Sequence, residues 1–344
     1  DDDEAAAAAT AAAAAPRRDA RRRHVNRQEE ERLHEEEVAR REEALADEAR
    51  EPETADDFER LVLESPDSSY EWIRYMAFHA ANGALSEARD VATRALATIH
   101  FRKQRERRNM WVARLNLEMR YGGTGAQAAA TLDALFREAV QHNDPEYMYV
   151  QRAKLHAALG ADGDARHAEL ATHCFDAAAK RFRGSADVWY AYGRHVLLER
   201  RDVAAFNDVV QRAVAALPRR EHVALLSRFA QLEFKRGDVD RGRTLFEGIV
   251  GNFPKRLDVW SVYVDMEEHA VRHRGADAAA ARRLYERMCS LALSSKKMRF
   301  VLKKWARFEA AHGEPRHVDA VKRRARECVE RLRSGGAGGA PHNV

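Results

Sequence analysis

The sequence predicts an all-α fold, a right-handed α-solenoid of about seven helical hairpins, and three observations carry this prediction. A large apolar or aromatic residue returns at intervals of 39, 38, 40, 37, 34 and 42 residues. A glycine follows it by eleven residues in most of the repeats. No segment shows the two-residue alternation typical of a strand. A period of 34 to 42 residues with two helical segments per unit is typical of stacked hairpins.

The recurring large residues are predicted to be structural anchors, one on the first helix of each hairpin. A buried tryptophan removes about 200 Å² from water, enough to fill the space between neighbouring hairpins. We therefore expect these side chains to belong to the core before they serve as platforms for bases. The seven anchors are Trp72, Trp111, Tyr149, Trp189, Leu226, Trp260 and Leu302.

Each hairpin also carries a pattern in its turn and on its second helix. The recurring glycines are expected to cap the first helices in the left-handed conformation. Polar residues that follow are expected to cap the second helices, namely Ser86, Asp164, Asp202 and Asp238. A glutamate seven residues after the anchor shares its face and needs a cationic partner when buried. We expect that partner on a second helix, at a residue such as Arg243 or Arg283.

Composition divides the chain into four segments. Residues 1–16 form a low-complexity acidic and alanine-rich segment, and residues 17–54 a charged linker that is helical or disordered. The solenoid is predicted over residues 55–332, and a disordered glycine-rich tail over residues 333–344. The chain begins without methionine, so we expect it to be a fragment or a processed form.

The bulk properties exclude some classes of protein. Charged residues make up 33% of the chain, the net charge is +4 and the isoelectric point is near 9.0, which permits a nucleic-acid partner without demanding one. No run of 18 apolar residues exists, so no membrane partner is predicted. The three cysteines fit neither a disulfide framework nor a zinc spacing, which favours a reducing compartment.

Motifs that carry chemistry are missing from the sequence. There is no phosphate-binding GxxxxGK[ST] loop, no HExxH and no identifiable Ser/His/Asp set. His269 and His273 lie four residues apart, but two ligands on a wet helix are more often solvated than metal-bound. We predict that the protein is not an enzyme, and that it uses no cofactor, no metal and no small-molecule substrate.

Basic residues cluster before the first helices, and acidic residues collect at the opposite turns. In a stacked array the two sets fall on opposite edges, which predicts a basic edge for binding RNA or a partner. Complementing the helix dipoles would produce the same bias without any ligand, so both explanations stay open. The predicted edge comprises Arg107, Arg108, Arg219, Arg220, Lys255, Arg256, Lys296, Lys297, Arg299, Lys303 and Lys304.

The repeat pattern Trp-x-x-Tyr, then Glu, then a second helix with Leu-Phe/Tyr-Glu, resembles the HAT repeat, so the hairpins are identified as HAT/TPR-like. Three longer segments narrow the resemblance: residues 55–79, residues 229–267 and residues 294–313, the last reading SSKKMRFVLKKWARFEAAHG. They are similar to the C-terminal HAT region of the ribosomal-RNA-processing protein five family, also called programmed cell death protein eleven. The resemblance spans about residues 50–330.

This resemblance implies a nucleolar scaffold in ribosome biogenesis, in the nucleus, needed for processing of precursor rRNA and above all for maturation of small-subunit rRNA. Its expected partners are ribosome-assembly proteins and precursor rRNA. Family members carry an array of OB-fold domains ahead of this region, which the present chain lacks. Two alternatives stay open: a HAT scaffold of the messenger-RNA 3′-end cleavage or splicing machinery, and a TPR-like adaptor that binds only protein.

Overall fold

A computed structural model describes residues 52–291 and 293–336, and within these ranges the chain forms fifteen α-helices and no strand. The helices are α1 (Ala55–Glu64), α2 (Ser69–Ala81), α3 (Leu85–Thr98), α4 (Gln104–Tyr121), α5 (Ala126–His142), α6 (Pro145–Ala161), α7 (Ala165–Arg181), α8 (Ala186–Leu198), α9 (Val203–Ala216), α10 (Arg219–Arg236), α11 (Val239–Asn252), α12 (Leu257–Arg274), α13 (Ala278–Ser290), α14 (Ser295–His312) and α15 (Pro315–Gly336).

The helices pack in chain order. In one compact unit α1 packs on α2 and α2 on α3, and in the other each helix from α5 to α15 packs on the next. The first helices α6, α8, α10 and α12 also contact one another in sequence. The division between the two units falls inside α4, between Met110 and Trp111. The predicted all-α solenoid of helical hairpins is confirmed.

The segment boundaries differ in part from those predicted. The segment 1–16 and most of the segment 17–54 lie outside the described residues. The last helix α15 extends to Gly336, so the first four residues of the predicted disordered tail are helical, and residues 337–344 lie outside the described part. Arg333 and Ser334 extend α15 because adding one residue to an existing helix requires little free energy.

Aspartates open most of the second helices, as predicted. The Asp202 carboxylate accepts from the backbone N–H of Ala205, and Asp164, Asp238 and Asp277 cap α7, α11 and α13 in the same way. Ser86 does not cap its helix, because α3 begins one residue earlier, at Leu85, and its N-cap is Ala84. An acceptor at the N-cap satisfies a backbone N–H that the helix itself leaves without a partner.

Aromatic pairs join successive hairpins. An aromatic residue on a second helix stacks on one that lies on the next first helix, with near-parallel rings, as between Phe246 and Tyr263, whose centroids are 4.8 Å apart. Such pairs contribute about 0.5–1.5 kcal/mol beyond the area they bury. The other stacked pairs are Phe58–Tyr75, Phe175–Tyr192 and Tyr285–Trp305.

A polar contact accompanies two of these stacks. The Tyr75 hydroxyl donates to Glu59 at 2.7 Å, and Arg94 binds the same carboxylate at 2.7 and 2.8 Å. The hydrogen bond from Arg94 lowers the pKa of Glu59 to about 2, and burial raises the pKa of Tyr75 to about 12. This contact joins α1, α2 and α3 of the first unit, and the equivalent contact of Glu247 with Tyr263 and Arg287 joins α11, α12 and α13 of the second.

Three glutamates, Glu233, Glu267 and Glu309, are buried with at most 1% of their surface exposed. Arg243 on α11 binds Glu267 on α12 with two hydrogen bonds of 2.7 and 2.9 Å, as the sequence predicted. Glu309 is bound by Arg282 and not by Arg283, because one residue on a helix turns a side chain by about 100°. The fixed fork of an arginine suits a carboxylate that it must satisfy without water.

Four of the five recurring glycines, Gly83, Gly122, Gly160, Gly237 and Gly313, do not take the predicted left-handed conformation. Only Gly83 among them has a positive φ, of 75°. At Gly122, Gly237 and Gly313 the glutamate four residues earlier folds over the glycine, and a Cβ would meet its carboxylate within van der Waals distance. Close approach of the glutamate side chain, and not a left-handed backbone, therefore requires glycine at these three turns.

Candidate nucleic-acid interface

Three of the eleven predicted edge residues are bound to other parts of the chain. Arg107 donates to two carbonyls at the end of α3, at 2.8 and 3.2 Å. Arg256 forms a bidentate pair with Asp258, its neighbour two residues on. The Lys304 Nζ lies 2.5 Å from the Asp265 carboxylate and so links α14 to α12. These contacts favour a structural role for the three side chains.

The remaining residues of the set are more accessible, with one exception. Arg108 is half-buried on α4 and has an interaction partner there. Arg220 lies 3.7 Å from Glu221, with 84% of its side chain exposed. The exposed residues are Arg219, Arg220, Lys255, Lys296, Lys297, Arg299 and Lys303.

Six of the seven exposed residues lie in the second unit at or near the N-terminal ends of α10, α12 and α14, and Lys303 lies in the middle of α14. Helices that alternate in direction and are joined by short turns place these three N-terminal ends at the same edge of the stack. The residues at these N-terminal ends are the part of the predicted basic edge that remains a candidate for binding. Phosphates bound along such an edge would follow the stacking direction of the hairpins.

The first turn of α14 separates the two explanations for the basic edge. The other six first helices carry an acidic residue there, Glu71, Glu106, Glu146, Asp187, Glu221 and Asp258. In α14, whose first turn lies wholly within the described part of the chain, there is none, and Lys296 and Lys297 occupy it. A cation near a helix N-terminus opposes the helix dipole, and at an exposed site it lowers the stability of the helix by about 0.3–1 kcal/mol. Dipole complementation therefore does not explain the basic residues in the first turn of α14.

The last hairpin has a larger net positive charge than the whole chain. Residues 295–336 contain thirteen lysines and arginines against five acidic residues, a net charge of +8, whereas the whole chain has +4. A groove of about 710 Å³ between α13 and α15 is lined by four arginines and two glutamates, with Trp305 at its base. Within it Arg287 is bound by Glu247 at 2.6 Å and Arg324 by Glu327 at 2.9 Å.

Two arginines of this groove, Arg283 and Arg323, were missed as candidates for binding. Both are exposed. The sequence assigned Arg283 to a buried glutamate, and the structure gives that contact to Arg282 and turns Arg283 outward. Arg323 lies in the basic run of residues 322–326 on α15, and the sequence alone does not show which of these cations face the groove.

The anchors are placed as structural residues. Trp72, Trp111, Trp189 and Trp260 are buried, with 2–3% exposed, and Tyr149, Leu226 and Leu302 are half-buried. The indole N–H of Trp260 donates to the carbonyl of Pro254, six residues earlier, and Trp72 and Trp189 repeat this contact. Rings that are enclosed and hydrogen-bonded in this way are closed to stacking with bases.

The described residues offer no group of three or more possible metal ligands, and no helix among them is long and apolar enough to cross a membrane. Two histidines do meet, with the Nδ1 atoms of His156 and His167 2.8 Å apart. Burial lowers the pKa of His156 to about 4. A neutral ring at this position donates or accepts one hydrogen bond across the α6–α7 hairpin.

The stacked hairpins, the paired buried glutamates and the exposed basic edge define a HAT/TPR-like helical-repeat protein. No protein-family model matches the chain. It is 43% identical over 289 residues to the mouse protein RRP5 homolog and 42% identical to the human one, over 84% of this chain. It is 40% identical to the rRNA biogenesis protein rrp5 of Schizosaccharomyces pombe, over 82% of this chain.

The chain belongs to the RRP5 family and corresponds to the C-terminal region of its members. It spans 14–16% of the length of these three relatives. The family resemblance predicted from the repeat segments is therefore confirmed.

Proposed function

We propose that the chain acts in ribosomal RNA processing as a non-enzymatic scaffold of ribosome biogenesis, in the nucleus and nucleolus. In this role the hairpins hold precursor rRNA and ribosome-assembly proteins during maturation of small-subunit rRNA. The names of the relatives support the process, since three of them are called rRNA biogenesis proteins. Many weak contacts on one frame would hold RNA and proteins in register without chemistry.

The observation that carries the RNA contact is the first turn of α14. Lys296 and Lys297 lie where cations reduce helix stability, they are exposed, and the turn contains no acid to offset them. Lys255 is exposed on the same edge, just before α12. Phosphates supply the negative charge that these positions lack, and affinity for them depends on salt.

The test replaces three lysines by glutamine, Lys255, Lys296 and Lys297. Lys304 stays unchanged because Asp265 binds it, and Lys303 because it lines a different groove. The matched control removes three exposed cations at the C-terminal ends of first helices, Lys235, Arg236 and Arg272.

Binding of single-stranded precursor rRNA fragments is measured by fluorescence anisotropy between 50 and 200 mM salt, on the order of the range where phosphate contacts dominate. Each phosphate contact to a single strand contributes about 0.7 to the slope of log affinity against log salt, so the triple variant should lose about 2 from it. The control variant should keep the slope of the unchanged chain. Equal slopes in all three proteins would refute RNA binding by this edge.

Ultraviolet crosslinking in cells identifies the RNA. Reads concentrated in precursor rRNA support the proposal. Reads at messenger 3′ ends or in small nuclear RNAs would favour the cleavage or splicing machinery instead. A chain that stays in pre-ribosomal particles without crosslinks would be a scaffold for proteins alone.

A further inference from the structure

The last hairpin differs from the inner hairpins at the surface where the next hairpin would stack. Glu233 and Gly237 of the α10–α11 hairpin correspond to Glu309 and Gly313 of α14–α15, 76 residues later. The same offset relates Leu226 to Leu302. Equivalent surfaces of the two hairpins can therefore be compared residue by residue.

On the inner hairpins this surface is covered by an α-helix. The eighth residue of α11, Phe246, stacks on Tyr263 of α12. The ninth, Glu247, accepts a hydrogen bond of 3.1 Å from the Tyr263 hydroxyl. The eighth residue of α13, Tyr285, stacks on Trp305 of α14 at 5.6 Å. The first helix of the following hairpin thus covers the aromatic residue in both cases, and α12 also binds the acidic residue of α11.

The eighth and ninth residues of α15 are Lys322 and Arg323. An aromatic and an acidic residue are thereby replaced by two cations. A terminal repeat that serves only solubility presents a polar outer surface throughout. This surface does not, because a groove of about 350 Å³ remains between α14 and α15.

The floor of the groove is apolar and its rim is basic. Met298, Leu302 and Ala306 of α14 face Val321, Ala325 and Cys328 of α15. Arg299, Lys303 and Lys322 line its rim. The inner counterpart of Leu302, Leu226, packs into the cluster of buried residues that includes Trp260 and Tyr263 of α12.

We propose that this groove binds an amphipathic helix of a partner protein, with its apolar side on the floor and acidic residues against Arg299, Lys303 and Lys322. The shape follows from the inner hairpins, where a helix covers the same surface. The charge follows from the rim, since complementary charge selects the partner. The inference deepens the proposed scaffold function and rests on it for its biological setting.

The same observations disfavour two other occupants. RNA would leave its phosphates over Leu302 and Ala306, which offer no hydrogen bond. A second copy of the chain would bring one hairpin of net charge +8 against another, and like charges across an interface oppose association.

The chain itself supplies a probe. Residues 257–271 of α12, LDVWSVYVDMEEHAV, carry Trp260 and Tyr263 and four acidic residues without a lysine or arginine. A fluorescent peptide of this sequence should bind the full chain. A matched peptide keeps the apolar residues and replaces the four acidic residues by their amides, and it should bind about tenfold more weakly. Absence of binding, or equal binding of both peptides, would overturn the proposal.

Two variants locate the binding. Lys303→Glu with Lys322→Glu reverses the rim and should weaken the acidic peptide by about tenfold or more. Ala325→Trp fills the floor without changing charge and should weaken both peptides, with circular dichroism reporting that the helices remain. Unchanged binding by the Ala325→Trp chain would place the peptide outside the groove and refute the inference.

Competition and sedimentation test the other occupants. An excess of single-stranded RNA should leave the peptide bound, and displacement would assign the groove to nucleic acid. The chain should sediment as a monomer, and a dimer abolished by Ala325→Trp would assign the groove to a second copy. Because Lys255, Lys296 and Lys297 are intact in these variants, loss of RNA binding and loss of peptide binding report separately on the two proposals.

Discussion

Replacing Arg243 by methionine tests whether the buried ion pairs stabilise the stacking of hairpins. Glu267 on α12 is 1% exposed, and both its oxygens are bound by Arg243 on α11. Methionine keeps much of the volume and removes both hydrogen bonds. Loss of one partner of a buried pair costs about 3–5 kcal/mol.

Protonation of the buried glutamate sets an upper bound on this loss of stability. A buried glutamate without its arginine can take up a proton, and each unit by which the pH exceeds the reference pKa of about 4.3 costs about 1.4 kcal/mol. At pH 7 the cost is therefore at most about 4 kcal/mol. In the folded variant the unpaired carboxyl of Glu267 has the raised pKa. The stability of the variant relative to the unchanged chain therefore rises as the pH falls.

Urea unfolding followed by circular dichroism at pH 7 and pH 5 gives both quantities. The deficit of the Arg243→Met chain should shrink by about 3 kcal/mol over these two pH units. Adding Glu267→Leu should restore most of the loss at pH 7, because a well-packed apolar pair can replace a buried ion pair. Arg256→Met removes an exposed pair with Asp258 and should leave the unfolding midpoint unchanged. A deficit that is equal at both pH values would refute the reasoning.

Two further outcomes are expected. Gly237→Ala should lower the free energy of unfolding by about 1–3 kcal/mol, because the added Cβ would overlap Glu233. Gly251→Ala adds a Cβ that meets no atom within 4 Å and should stabilise α11 slightly. Equal effects of the two substitutions would contradict the role assigned to Gly237. The unchanged chain should lose stability as the pH falls from about 6.5 to 4, because burial, with Arg152 and His167 nearby, lowers the pKa of His156 in the fold to about 4. His156→Gln should remove up to about 3 kcal/mol of that loss in urea titrations, and an unaltered pH profile would show that His156 does not drive it.

Periodicity was sufficient to predict the hairpins and their ionic links. The spacing of the glutamates placed them on the face of the anchors, and burial then required a cationic partner on a second helix. Arg243 was named as an example of such a partner, and it binds Glu267. The same reasoning failed by one residue at Arg283, since the period alone does not fix the rotation of α13. Helical phase is set by packing against both neighbouring helices, which a single sequence does not display.

The sequence could predict that basic residues gather at one edge, but not which of them are available to bind a ligand. Arg107, Arg256 and Lys304 share the pattern of the exposed cations, yet each binds acceptors brought near by folding. Conversely, Arg323 gave no signal in the sequence, because only the equivalence of α15 to α11 and α13 shows that a cation has replaced an acid. Which cations are available depends on partners distant in the chain.

The first turn of α14 and the outer surface of α15 both carry cations where the inner hairpins carry acidic or aromatic residues. Lys296 and Lys297 replace the acid of a first turn, and Lys322 and Arg323 replace an aromatic and an acidic residue of a stacking surface. Each change opposes stability, through the helix dipole in one case and lost stacking in the other. Selection for stability alone favours the inner patterns, which are an acid in the first turn of the other six first helices and an aromatic residue followed by an acid in α11 and α13. Ligands that supply negative charge at both places account for the two departures together, and they fall on separate surfaces that separate variants can test.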